Sequence, residues 1–507
     1  MRTQRTLKII YWGLVSQVII LLIGFITRKI FLMILDSTYL GINSLFGNII
    51  SIISLAELGV SSAIIYHLYK PIADNNSKEI TKLMNLYKKV YRIIALVITI
   101  IGLLFIPFLE YVVKDSTFSL GYLRIIFCIF LFDTVVSYFF SYKRSMIFAD
   151  QKNYIVIIND TIFKILTAIV NIVILILTKD FILYLLSSTV LKVLNNITIA
   201  LIADMKYPYI KNNDKLEKEK TKKIFKNIKD IFINKLSWTV TSATDSIIIS
   251  MYFNLSIIGM IANYNLIILS IQNLVVKLLD STQASIGDLL VKGKKEYIYM
   301  ILKRLSLLAF FIASFFGLSL IFLSSPFISI WLGGQYLISN DIIIVLILNF
   351  FFLVLRTPLW QMVGVSGLFR QERNIALIGT IANLIVSIVL VKYIGLIGVF
   401  LGTLLSILIQ IGLKVPLFFN NFLLMKAREY FKTLLKFIIL FFIEFLIIYY
   451  VSLLINIENR YFEFIVLALI CMCIPNTINY LVFRNSEEYK YLKSLAENIV
   501  KKKTKGV

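Results

Sequence analysis

The chain has 507 residues, 59% of them hydrophobic, and a mean hydropathy of +0.87, values that exclude both a water-soluble globular protein and a disordered one. Its net charge of +24 invites a nucleic-acid reading. However, the basic residues gather in loops between long apolar runs, the pattern that orients membrane proteins, so no nucleic-acid partner is implied. The three cysteines, Cys128, Cys471 and Cys473, lie in apolar runs without ligand spacing, which excludes a disulfide framework and a zinc site; no metal or cofactor is expected.

Apolar runs of about 20 residues suffice to cross a bilayer. They recur over 9–35, 40–66, 90–113, 120–142, 154–177, 181–203 and 231–253, then over 256–278, 305–325, 340–362, 374–393, 395–419, 433–455 and 463–483. The expected fold is therefore all-α, a polytopic helical membrane protein with 14 transmembrane helices. The first run is too long for a cleaved signal, and no small-residue cleavage site follows it. Trp12 and Trp331 suit anchoring at the membrane interfaces.

Charge alternates from loop to loop. Arg2, Arg5 and Lys8 precede the first run, and a lysine-rich stretch from Lys70 to Arg92 follows the second. Lys143, Arg144 and Lys152 follow the fourth, and nine lysines from Lys206 to Lys229 follow the sixth. The pattern continues with Lys292 to Arg304, Arg370 and Arg373, Lys426 to Lys436, and a basic tail ending in Lys501 to Lys505. The intervening loops hold Lys114, Lys179, Lys392 and Arg460. That bias places both termini in the cytoplasm.

The long basic loop divides the chain. We expect an N-terminal lobe over 1–203, a cytoplasmic linker over 204–230, a second lobe over 231–425, two further helices over 426–483 and a basic tail over 484–507. Six spans is an even number, so the two lobes share one orientation and read as a parallel repeat. An offset of 218 residues lays Ile30 on Ile248, Met33 on Met251 and Gly41 on Gly259. The tail from Ser486 reads as an amphipathic helix resting on anionic membrane lipid.

Ionisable residues at membrane depth mark the candidate site, because each costs roughly 2.5–3.5 kcal/mol there on insertion scales. Arg28 and Lys29 fall inside the first run, with Ile30 to Leu35 still to come. They point about 100° apart on a helix, so both cannot face one place. Lys192 and Arg356 complete the candidate substrate-binding cations, with Lys235 nearer the cytoplasmic end. Asp133, Asp160, Lys164, Asp245 and Glu57 are candidates for charge coupling or gating. Asp160 and Lys164 are four apart, a spacing that predicts a salt bridge on one face. Glu57 lies among small residues that allow close helix approach, and Arg356 precedes Pro358, which bends helices. These charges indicate a transporter that accepts an anion.

The stretch Thr38 to Asn76 contains YLG-x-N-x-L-F, then LAELG and an A-I-I-Y-x-L-Y-K-P run. Thr244 to Ser250 reads T-D-x-I-I-I-S, before I-G-x-x-x-N-Y at Ile258 to Tyr264. These segments resemble the repeat-unit flippases of capsule and O-antigen pathways. Those flippases form the polysaccharide-transporter branch of the multidrug/oligosaccharidyl-lipid/polysaccharide exporter superfamily. The resemblance implies a non-enzymatic flippase in a bacterial plasma membrane. Its substrate would be an undecaprenyl-pyrophosphate-linked oligosaccharide, moved from inner to outer leaflet by alternating access. It further implies proton or sodium coupling and cooperation with a polysaccharide polymerase and other assembly proteins. A multidrug or organic-cation antiporter and a peptidoglycan-precursor flippase share the same fold and stay open. A membrane glycosyl polymerase fits poorly with the short outside loops, and a scaffold does not explain the buried charges.

Overall fold

The structure, a computed structural model, describes residues 2–57, 60–113, 117–212, 243–280, 293–455 and 457–504, with isolated positions between 216 and 290 besides. Twelve helices among the described residues are long and apolar enough to cross a membrane, and no strand occurs among them. The chain is a polytopic helical membrane protein.

The first helix, α1, covers Arg2–Ile34. Asp36 then caps α2, Ser37–Ile53, its carboxylate accepting from the Thr38 and Tyr39 amides at 2.7 and 3.3 Å. Such a cap satisfies donors that the first helical turn leaves open. The second expected span is not one helix. A 3-10 turn, Ser54–Glu57, separates α2 from α3, Val60–Ala73. The break coincides with the carboxylate that an apolar run cannot solvate. Lys235, most of the first half of the seventh expected span and most of the expected linker lie outside the described residues, whereas 243–252 of that span is helical.

The other helices follow the apolar runs. They are α4 (Ser77–Phe105), α5 (Leu120–Ala149), α6 (Asn153–Thr178), α7 (Phe181–Lys206) and α8 (Leu255–Asp280). After these come α9 (Lys295–Trp331), α10 (Asn340–Val365), α11 (Phe369–Ile394), α12 (Leu396–Phe418), α13 (Arg428–Leu453), α14 (Arg460–Phe483) and α15 (Glu487–Thr504). Ile169, Val173, Ile176 and Leu177 stand exposed along α6, a face suited to hydrocarbon rather than water.

Packing divides the chain into two compact units, 1–259 and 260–507. In the first, α4 packs on α5, α5 on α7, α6 on α7 and α1 on α6. In the second, α9 packs on α10, α10 on α12 and α11 on α12. Counted by expected spans, three of the first unit's pairings, α4 on α5, α5 on α7 and α6 on α7, recur six spans later in the second, as an internal repeat requires. The two last membrane helices belong to the second unit by packing. Phe437 of α13 stacks on Phe310 of α9 at 4.5 Å, and Phe441 on Phe351 of α10 at 4.1 Å. Such offset stacks add directional preference to the area buried.

Within the first unit, α2 and the start of α8 meet backbone to backbone. A Cβ on Gly41 would overlap the Leu255 carbonyl oxygen, and one on Gly259 would overlap that of Ser37. Beside this crossing, the Ser37 and Ser256 hydroxyls are hydrogen-bonded at 2.5 Å.

The tail helix, expected on lipid, also has a protein surface to rest on. Lys303 of α9 pairs with Glu488 at 3.0 Å, and the Arg304 guanidinium lies 3.8 Å from the Tyr491 ring centre. Tyr489 sits between Phe311 and Tyr480, at 6.1 and 5.9 Å. The first turns of α15 are therefore docked on α9 and α14.

Candidate functional site

In the first unit the deep charges are grouped by α5, α6 and α7. Arg144 reaches from α5 to Asp160 on α6 with both guanidinium nitrogens, at 2.8 and 3.0 Å, and Asn195 of α7 donates to the same carboxylate at 3.1 Å. The expected Asp160–Lys164 bridge is thus replaced. A planar fork matches both carboxylate oxygens at once, which an ammonium on the same helix cannot do. Arg144 is available because α5 runs past its expected end at 142 to Ala149. Lys164 is exposed on its unit. Lys192 of α7, expected as a substrate contact, is ion-paired with Asp133 of α5. Its side chain remains half exposed, at 48%.

Glu57 sits in the turn between α2 and α3 and accepts a hydrogen bond from Tyr91 at 3.4 Å. Tyr138, stacked on Tyr91 at 6.2 Å, bonds it as well. Two phenols thus hold the carboxylate at a helix break. Asp245 is half-buried next to Ser246, which accepts from Asn48 of α2 at 2.7 Å.

Arg28 is half-buried on α1, and its electrostatic neighbour is the Tyr184 phenol of α7. The Tyr184 ring lies 5.3 Å from Phe31 and stacks on Phe181 at 6.0 Å. Its hydroxyl is bonded to Asn171 of α6, whose amide is bonded to Ser187 and Ser188 at 2.8 Å each. The guanidinium thus stands at the end of a polar chain inside an aromatic cluster. Lys29, one residue on, is exposed.

The second unit holds a cluster that the sequence announced only through Arg356. Lys414 of α12, 2% exposed, pairs with Glu372 of α11 at 2.7 Å. Its ammonium lies 4.1 Å from the Trp360 ring centre, and the Arg356 guanidinium lies 4.6 Å from that same centre. Two cations on one indole, with one carboxylate between them, leave a net positive charge in an apolar setting. Lys414 and the buried Glu444, which is bonded to Ser314 of α9, were missed by sequence reasoning. Each is a charged letter inside an apolar run, the signal that found Arg28. Among the described residues no cluster of three His, Cys, Asp or Glu is placed to hold a metal ion.

Residues 6–283, more than half of the chain, match the family model described as polysaccharide biosynthesis protein. The chain belongs to that family. No curated protein matches this polysaccharide biosynthesis family member by sequence. Among solved structures it is similar to "Lipid II flippase MurJ, inward closed conformation", at 18% identity and TM-score 0.69, over 94% of this chain and 99% of that one. It is also similar to an inward-facing multidrug resistance MATE family transporter of the MOP superfamily. That match has 15% identity and TM-score 0.59, over 82% of this chain and 95% of the other. At such identities the likeness shows the fold, one that serves flippases and transporters.

Proposed function

We propose that this member of the polysaccharide biosynthesis family is a flippase for a lipid-linked oligosaccharide. It would carry an undecaprenyl-pyrophosphate-linked repeat unit from the inner to the outer leaflet of a bacterial plasma membrane by alternating access. The observation that carries the reading is Arg28, a guanidinium at membrane depth held beside a phenol and an amide chain. Guanidinium groups bind phosphate oxygens in pairs, so an arginine that a pyrophosphate can reach suits such a headgroup. Lys29, about 100° round the helix and exposed, is the weaker candidate of the pair. The shared fold with a lipid II flippase supports the substrate class, and the family description supports its destination in polysaccharide assembly.

The charge pattern disfavours an organic-cation antiporter. That activity needs carboxylates directed at the substrate, whereas Asp133 and Asp160 are already bonded to Lys192 and Arg144. Deleting the gene and extracting lipids tests the reading. Sugar-loaded undecaprenyl pyrophosphate should accumulate facing the cytoplasm, and an Arg28→Ala copy should fail to restore export while Arg28→Lys restores part of it. Normal surface glycan in the deletion strain, with no redundant exporter, would overturn the proposal.

A further inference from the structure

The second unit contains a cavity of about 360 Å³ walled by α10, α12 and α13. Leu355, Leu359, Leu408, Ile411, Leu434 and Ile438 make up much of its lining, and among the described residues Arg356 is the one charged residue in it. Leu408 and Leu435, also in the lining, stand 36% and 56% exposed, so the cavity opens outward beside apolar side chains at membrane depth. An opening framed by exposed apolar side chains suits lipid rather than water.

Two features define what the cavity can hold. The first is the state of Arg356. Glu372 is taken by Lys414, and among the described residues Arg356 has no carboxylate within ion-pair distance. Trp360 fixes the guanidinium from one side, yet its Nη1 is buried and without a hydrogen-bond partner. Buried donors of that kind are rare because leaving one unsatisfied is costly. The second is Gly412, which also lines the cavity. Glycine inside a helix is less stable than alanine by about 1 kcal/mol. A Cβ there would meet nothing within 4 Å, so no close helix contact demands it. It stands exposed at the edge of the cavity, where a larger side chain would take up room in the opening.

We propose that this cavity binds the phosphate and adjoining acyl chain of an anionic membrane phospholipid, the phosphate seated on Arg356. The volume equals about twelve water-sized volumes, which suits one phosphate and part of a chain and excludes a headgroup of several sugars. Arg356 lies about 14 Å from the Val365 end of α10, the end that charge bias assigns to the cytoplasm. The lipid is therefore one of the cytoplasmic leaflet. The inference concerns a resident lipid and stands apart from the transport reading, which rests on Arg28.

The test uses the full chain purified in detergent, with binding read by native mass spectrometry and by melting temperature. The probes are dioleoyl phosphatidylglycerol, dioleoylglycerol, which lacks the phosphate, and inorganic phosphate alone. The unaltered protein should retain phosphatidylglycerol and melt higher with it, and neither other probe should reproduce this. Arg356→Gln and Gly412→Leu should each weaken phosphatidylglycerol binding about tenfold or more. Gly412→Leu leaves the guanidinium in place and fills open space, so it stays informative if Arg356→Gln fails to fold. Equal binding by the unaltered protein and Gly412→Leu would overturn the proposal, as would dioleoylglycerol binding as tightly as phosphatidylglycerol. Equal stabilisation by inorganic phosphate would also overturn it, since the site would then take a free anion.

Discussion

An ion at membrane depth needs a partner, and the partner decides whether a substitution is felt in stability or in transport. Arg144 and Asp160 share two charge-assisted bonds across α5 and α6, at 26% and 30% side-chain exposure. Asp160→Asn should therefore lower stability by about 1–3 kcal/mol, with partial exposure keeping it below the values of fully buried pairs. Lys164→Gln, four residues away, should stay within about 0.5 kcal/mol. Thermal unfolding of both purified variants checks this, and equal shifts would show that the pair is not what holds α5 to α6. The positions of such ions were legible in the sequence as charged letters inside apolar runs. Their partners were not. Helical spacing predicts only neighbours on the same helix, as it did for Asp160 and Lys164, whereas Arg144 arrives from another helix. The same limit concealed Glu372 beside Lys414, although Trp360 lies four residues after Arg356 and their contact could have been read from spacing.

Helices that touch through their backbones tolerate no side chain at the crossing. Gly41 faces Leu255 and Gly259 faces Ser37. Each contact maps onto the other when the chain is shifted by 218 residues, so two faint sequence matches become one reciprocal contact. Gly41→Ala and Gly259→Ala each force a methyl into a carbonyl oxygen, and overpacking of this kind costs about 1–3 kcal/mol. Gly13→Ala, where a Cβ meets nothing within 4 Å, is the control. Comparable melting of all three variants would argue against the close crossing. Element positions were largely readable from apolar run length, with the break at Ser54–Glu57 an exception. It depends on Glu57 meeting tyrosines from α4 and α5, which periodicity does not encode. The docking of α15 was equally hidden. Burial alone would raise the Glu488 carboxyl, but its backbone hydrogen bond and the Lys303 and Arg304 charges outweigh that and hold it below the ordinary carboxylate range. A depressed carboxyl stabilises the docked state above its unfolded value of about 4.3, and the contribution is lost as pH falls through the folded value. Protection of the 487–504 amides, relative to their intrinsic exchange rate at each pH, should thus be high at neutral pH and fall as acid protonates Glu488, and Glu488→Gln should remove that loss of protection.

At the scale of the whole molecule, the large positive charge describes topology. If charge were distributed for binding an acidic partner, it would favour one surface regardless of which loops supplied it. Here it alternates with the spans instead, nine lysines falling between Lys206 and Lys229 while the loop over 326–340 carries none. Pairings inside one unit recur inside the other, α4 on α5 as α9 on α10, and an even number of expected spans per lobe is what leads the sequence to be read as a parallel repeat. The orientation expected from charge bias keeps the short loops rich in lysine and arginine in the cytoplasm, and it can be tested directly. A fluorescent reporter joined after Thr504 should therefore fold and emit inside the cell. Alkaline phosphatase joined within 326–340 should be active outside, and the same enzyme within 143–152 should be inactive. Activity at both phosphatase sites would break the alternation on which the span assignment depends. A silent C-terminal reporter with an active phosphatase at 143–152 would reverse the orientation, and with it the leaflet from which Arg356 would take its lipid.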